Sequence, residues 1–279
     1  MIASKTLALI ALVAIGGVAS AQQVTLRYKP PVGKSYAYTM TMDTATVAPG
    51  AGGNQSVKQT ATNTIKVLSR SGEQTKVSTT TSNVKVTVPP NSPLKSQVAQ
   101  MEKQGAMTAT MTISSLGLVT NVSSGKTPNM QAANDMLSTI GPFSAMPKAA
   151  VGVGSTWTSS FNLGQMIAKT MPMMKVSGGN IPLKLKLTRF VSQGGKRLAE
   201  VKMTGAGTAK LSMAAQPGTR APSRSQGFAM NVAINISSTS LIDVATGVPV
   251  TTSTAMTNKM SVGNQGSMSQ TMKMSMKLK

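Results

Sequence analysis

Leu183, Leu185 and Leu187 alternate with Lys184, Lys186 and Thr188, and this two-residue period recurs along most of the chain. Tyr36, Tyr38, Met40 and Met42 alternate with Ala37, Thr39, Thr41 and Asp43. Phe228, Met230, Val232, Ile234 and Ile236 repeat the pattern, as do Met272, Met274, Met276 and Leu278. Successive side chains of a strand point to opposite faces, so each run has one apolar face and one polar face. Strands wet on one side belong to antiparallel sheets, because a parallel sheet is covered on both faces. Threonine, whose branched β-carbon suits a pleated surface, is abundant in the same segments.

Turn residues punctuate the runs. Ser71-Gly72, Ser115-Leu116-Gly117, Gly194-Gly195 and the stretch from Asp243 to Gly247 each supply a glycine for a tight reversal. Connections this short join consecutive strands up and down, and a long meander must curl to bury its dry face. The expected fold is all-β or β-dominated: a long curved antiparallel meander, half-barrel or barrel-like, with one or two helices packed on the concave face. The main helix is expected over Thr127–Ile140. There Thr127-Pro128 forms a cap and first-turn pair, Met130, Ala133, Leu137 and Ile140 share a face, and Gly141-Pro142 ends the run. Leu94–Gln104 and Leu163–Thr170 are further helical candidates, and Ala48–Asn54 and Gln216–Gln226 read as loops.

Lys5, the apolar run Leu7–Ile15 and the small residues Ala19-Ser20-Ala21 form a secretory signal, with cleavage expected after Ala21. That apolar run is well short of the roughly 20 residues a spanning helix needs. The expectation is an exported protein, secreted or periplasmic and not integral to a membrane, with residues 1–21 removed and 22–279 forming a single β-rich domain. Gly33 precedes Tyr36 as Gly154 precedes Trp157, opening halves of about 24–125 and 147–279 in the same way. Two readings fit: a duplication joined by a helical segment, or one meander reusing its turn grammar.

Missing residue types narrow the chemistry. The chain has no Cys and no His, which removes disulfides, thiol nucleophiles, His-based triads and His or Cys metal sites. The acidic residues Asp43, Glu73, Glu102, Asp135, Glu200 and Asp243 are scattered, and no two are close enough in sequence to share a strand face or a helical turn. Ser92-x-x-Lys95 and Ser123-x-x-Lys126 have the spacing of a Ser–Lys pair, but no Lys-Thr-Gly strand accompanies them. Gly125-Lys126-Thr127 lacks the first glycine of a phosphate loop, Thr120 standing in its place. The reading is therefore a non-enzymatic protein without cofactor or metal.

Two features are present in excess: 22 methionines and a net charge of +22. Met272, Met274 and Met276 alternate as a core stripe; residues i and i+2 of a strand stand about 7 Å apart, too far for two sulfurs to share a metal without bending. Their flexible thioethers suit irregular packing or the lining of an adaptable apolar pocket. The charge attracts anionic polymers, yet binders of single-stranded nucleic acid interleave aromatic rings with basic residues, and only 3 Tyr, 4 Phe and 1 Trp are available. Nucleic acid is thus an unlikely partner, and anionic envelope material a better match. The shortage of rings also argues against an outer-membrane barrel, which needs two aromatic girdles.

Gly33-x-x-Tyr36, Pro147-x-x-x-Val151-x-x-Gly154-x-x-Trp157 and Asp243-x-x-Thr246-Gly247 resemble a family of uncharacterised secreted bacterial β-rich proteins, known only as a domain of unknown function. A curved sheet with helices across its mouth is also remotely similar to the half-barrels of periplasmic lipoprotein carriers, a likeness of fold alone. The expected function is binding of an apolar or amphiphilic, lipid-like molecule in a Met-lined concavity, with Tyr36, Tyr38, Met40, Met42 and Trp157 as the candidate ligand-binding residues. The alternative is a structural or adhesive envelope protein that holds anionic polymers on its basic surface and has no pocket.

Overall fold

A computed structural model describes residues 23–48, 54–90, 92, 95, 98–99, 102, 105–124, 145–163, 174–213, 229–262 and 266–279. Among the described residues, twelve strands carry the fold. The first five are β1 (Ser35–Val47), β2 (Asn54–Ser71), β3 (Gln74–Thr87), β4 (Met107–Ser114) and β5 (Val119–Ser124). The others are β6 (Thr156–Asn162), β7 (Met174–Gly178), β8 (Asn180–Gln193), β9 (Lys196–Met213), β10 (Ala229–Asp243), β11 (Pro249–Val262) and β12 (Ser267–Leu278). The alternating segments Tyr36–Asp43, Leu183–Thr188, Met230–Ile236 and Met272–Leu278 fall inside β1, β8, β10 and β12. Gly72, Gly117, Gly194, Gly195 and Gly247 occupy the left-handed region in the turns between strands, the conformation tight reversals require and glycine adopts without strain.

The strands form one antiparallel sheet in the order β5-β4-β3-β2-β1-β12-β11-β10-β9-β8-β6, with β7 also pairing with β9. Two runs of hairpins therefore meet where the first strand lies beside the last: Met40 stands opposite Met276 and Met42 opposite Met274. β5 and β6 are the edges, so the sheet is open rather than closed into a barrel. Lys58 through Ser71 on β2 pairs with β3 across two bulges. At the first of them Asn83 has a φ of 52°, a conformation asparagine tolerates better than most side chains.

The apolar face of the sheet is the concave one. Val77, Met111 and Ile113 from β3 and β4 join one buried cluster with Leu185, Leu187 and Val201 from β8 and β9, strands near the opposite edge. Filling the space between them is a strap of residues preceding β1. Val24, Leu26 and Tyr28 are buried, and Val24 exchanges backbone hydrogen bonds of 2.8 and 2.9 Å with Val151. Tyr28 N–H donates to Ser115 O and Lys29 N–H to Thr246 O, each at 2.8 Å. The Arg27 guanidinium donates to the carbonyls of Leu26, Pro147 and Lys148, and that of Arg70 to Pro30. Each fully buried large apolar side chain contributes roughly 1.5–3 kcal/mol, so the strap is a structural part of the core.

Helix is sparse among the described residues. Lys95, Val98, Ala99 and Glu102 are helical, as the Leu94–Gln104 expectation required of them, and Leu163 is helical at the start of the Leu163–Thr170 candidate. Thr127–Ile140, most of the Ala48–Asn54 loop, the Gln216–Gln226 loop and Phe228 lie outside the described residues.

Candidate binding face

Cross-strand register builds the concave face rung by rung. One rung runs Ser240, Thr252, Met276, Met40 and Ala61 across β10, β11, β12, β1 and β2. The next runs Ser238, Thr254, Met274, Met42 and Gln59, and a third Ile236, Met256, Met272, Thr44 and Val57. Three successive rungs thus each hold a directly opposed methionine pair: Met40 with Met276, Met42 with Met274, and Met272 with Met256. Opposed β-carbons lie about 4.5–5.5 Å apart, closer than the i, i+2 spacing along one strand. Met40, Met256, Met272, Met274 and Met276 are buried, and Met42 is half-buried.

Beside the sulfurs stands a strip of hydroxyls. Ser238 and Thr254 are hydrogen-bonded at 3.0 Å, Ser240 and Thr252 at 3.2 Å, and all four are buried. Two amide oxygens of the same face, Asn63 Oδ1 and Asn258 Oδ1, are sealed from solvent with no hydrogen-bond partner. Asn63 stands opposite Tyr38 on β1; Asn258 stands opposite Ile234 and donates to Gln270 Oε1 at 3.3 Å. An unpaired buried acceptor costs free energy until a donor reaches it. The face is therefore apolar with interspersed acceptors and hydroxyls, an amphiphilic lining.

The five candidate residues all lie on this face, but not together. Tyr36, Tyr38 and Trp157 belong to the cluster packed by the strap; Met40 sits with Ala61 and Met274; Met42 sits with Met256 and Met272. Tyr38 is buried, and its hydroxyl donates to Pro249 O at 3.0 Å. Trp157 is half-buried and donates its indole N–H to Ala145 O at 2.7 Å. Burial pushes the Tyr28, Tyr36 and Tyr38 phenols above the usual tyrosine range; Tyr36 pushes Tyr28 further, Asp243 pushes Tyr36, and Tyr28 and Tyr36 push Tyr38. All three therefore stay neutral at ordinary pH, packing groups with a polar tip rather than acids.

Sequence reasoning did not find the methionine pairs or the strap. The pairs needed the register between β12 and its two neighbours, which no local pattern encodes. The strap had a signal, since Val24, Leu26 and Tyr28 themselves alternate, but their run is short and carries no turn partner.

The outer face is polar. A groove of about 700 Å³ lies there, lined by Asp43, Lys58, Thr87 and Lys273 among others and walled by Val88, Pro89 and Pro90. Asp43 stands opposite both Lys58 and Lys273. A second groove of about 340 Å³ is lined by Lys210, Asn231 and Lys259 among others. Nearer one edge, Glu200 accepts from Thr188 Oγ1 at 2.7 Å and from Arg189 Nε and Nη2 at 2.9 and 2.7 Å. Those hydrogen bonds hold its carboxyl below the usual glutamate range.

Among the described residues no group of three or more acidic side chains is placed to hold a metal ion, and no helix is long and apolar enough to cross a membrane. No protein-family model matches the chain, and no curated protein matches it.

Proposed function

We propose that this is an exported, non-enzymatic binding protein that holds an apolar or amphiphilic molecule against the methionine-lined part of its concave face. The observation that carries this reading is the stack of three opposed methionine pairs bordered by two rungs of hydroxyl pairs. Thioether side chains are unbranched and polarisable, so a wall built from them re-packs around chains of different shape. The hydroxyl pairs beside the methionines offer partners to a polar head. The likeness to periplasmic lipoprotein-carrier half-barrels points the same way by fold analogy, and the N-terminal signal supplies the route out of the cytosol.

The test is a titration of the purified, lipid-stripped protein with a fluorescent fatty-acid probe at low and high salt. Saturable binding that barely responds to salt is expected, because moving methylenes out of water contributes about 0.8 kcal/mol each regardless of ions. Met42→Trp, which puts a bulky ring opposite Met274, is expected to weaken probe binding at least tenfold. Absence of saturable binding at either ionic strength overturns the carrier reading and leaves adhesion through the outer face.

A further inference from the structure

Lys186 on β8 stands directly opposite Lys202 on β9, and Lys184, on the same face two residues away, stands opposite Thr204. All three lysines are exposed. Like charges directly opposed across a sheet are destabilising, and nothing in the packing of the concave face requires them. Among the described residues the carboxylate beside them is Glu200, which feels the charge of Lys202 but whose oxygens are engaged by Thr188 and Arg189. Three ion pairs form among the described residues, and none includes these lysines. Thr156 and Thr158 of β6 oppose Lys186 and Lys184 from the other side, also exposed.

From this patch a row of hydroxyls crosses the outer face. Lys202 is opposite Thr239, Thr239 opposite Ser253, Ser253 opposite Ser275, and Ser275 opposite Thr41. At about 4.8 Å per strand, the row from Lys186 to Thr41 is roughly 24 Å long. Lys273 and Lys277 flank Ser275 on β12, both exposed. The result is a track of hydrogen-bonding groups with cations at one end and along its sides.

We infer that this outer face is a docking surface for a linear acidic polysaccharide, whose carboxylates are held by Lys184, Lys186 and Lys202 and whose hydroxyls lie along the Thr239–Ser253–Ser275–Thr41 row. Charge complementarity selects a polyanion. The shape and chemistry select a glycan. The exposed large apolar residues Val32, Val47, Leu68, Leu118 and Val153 lie in turns, at a strand end or at a bulge, so the interior of the face has nothing to insert into a bilayer. No described aromatic residue is exposed, so the described residues offer no platform for stacked bases. This site is separate from the concave face, and the two can fail independently.

The experiment measures binding of the intact exported protein to polygalacturonate, to neutral dextran and to vesicles of phosphatidylglycerol. Salt-sensitive binding to polygalacturonate is expected, with none to dextran and weaker association with vesicles. The variant Lys184→Gln/Lys186→Gln/Lys202→Gln is expected to lose at least tenfold in affinity for polygalacturonate and to keep the fatty-acid probe. The control Lys66→Gln/Lys76→Gln/Lys85→Gln, which removes the same charge from β2 and β3, is expected to lose less than threefold. Equal losses in the two variants, or vesicle binding without polygalacturonate binding, or no polyanion binding at all, overturns the inference. Thermal unfolding checks that the variants are folded, and Lys202→Gln alone, which relieves the opposed pair, reads the same loss in smaller measure.

Discussion

Gly247 and Arg27 meet backbone to backbone: a β-carbon on Gly247 would stand 2.0 Å from the Arg27 carbonyl oxygen and 2.8 Å from Tyr28 Cα. The turn between β10 and β11 is thus pressed against the strap that fills one part of the concavity. Because Gly247 also has a φ of 67°, a side chain there meets both backbone strain and a collision that no rotamer relieves.

Gly247→Ala is therefore expected to destabilise the protein by on the order of 3 kcal/mol. Gly33→Ala is the comparison, since Gly33 has a φ of 82° but nothing within 4 Å of the added carbon. Backbone strain alone costs about 1 kcal/mol there. Denaturant unfolding of the two variants side by side makes the measurement. Equal losses would mean the strap does not seat against the turn in solution.

The glycine itself was legible as a turn residue, and so were the strands. Period two in Leu183–Leu187 and Met272–Leu278 gave β8 and β12 because each side chain there has only two directions to point. What period two cannot give is register, since any even shift keeps the same face dry. The opposition of Lys186 to Lys202, and of Met42 to Met274, is set by turns and bulges spread over the whole sheet. The five candidate residues share the apolar face for the same local reason. Their division among three clusters follows from the strap, whose burial depends on contacts with Ser115, Val151 and Thr246, all far away in sequence.

Trp157 is half-buried, with its indole N–H satisfied by Ala145 O. Its native emission is expected between the extremes of a dry core and water, moving red on unfolding. Trp157→Phe keeps most of the packing and is expected to cost about 1 kcal/mol for the lost hydrogen bond. Trp157→Ala is expected to cost more, though less than the roughly 3–5 kcal/mol of a fully buried ring. An emission that does not change on unfolding would show the ring to be free of the core.

Glu200 sets an acid limit. Its carboxyl lies below the usual range because Thr188 and Arg189 hydrogen-bond its charged form. A depressed folded-state value means the stabilisation is present above the unfolded value, about pH 4.3, and is lost as pH falls through the folded value. Glu200→Gln is therefore expected to be less stable than the parent at pH 7 by about 1.5–3 kcal/mol, the worth of a hydrogen bond to a charged group, reduced by the exposure of Arg189. The gap should narrow as pH falls below that unfolded value. A gap unchanged between pH 7 and pH 3 would mean that Glu200 acts through shape, not charge.

The three tyrosines set the alkaline limit. Burial raises all of them, Tyr28 and Tyr38 most, and each phenolate that formed would repel the next. An unfolded tyrosine ionises near pH 10, so the fold loses nothing below that value. Above it, the unfolded state gains stability that the native state cannot match, by up to about 1.4 kcal/mol per pH unit for each phenol held neutral. Phenolate absorbance from Tyr28 and Tyr38 is therefore expected to appear only as the sheet unfolds, in step with the loss of strand circular dichroism. Tyr38→Phe removes one such group along with the hydrogen bond to Pro249 O. It should lower stability at pH 7, by about 1–3 kcal/mol for the carbonyl left unpaired, yet make the decline above pH 10 shallower. Phenolate signals from these residues near pH 10 with the sheet intact would show that the strap and β1 open to water without unfolding the rest.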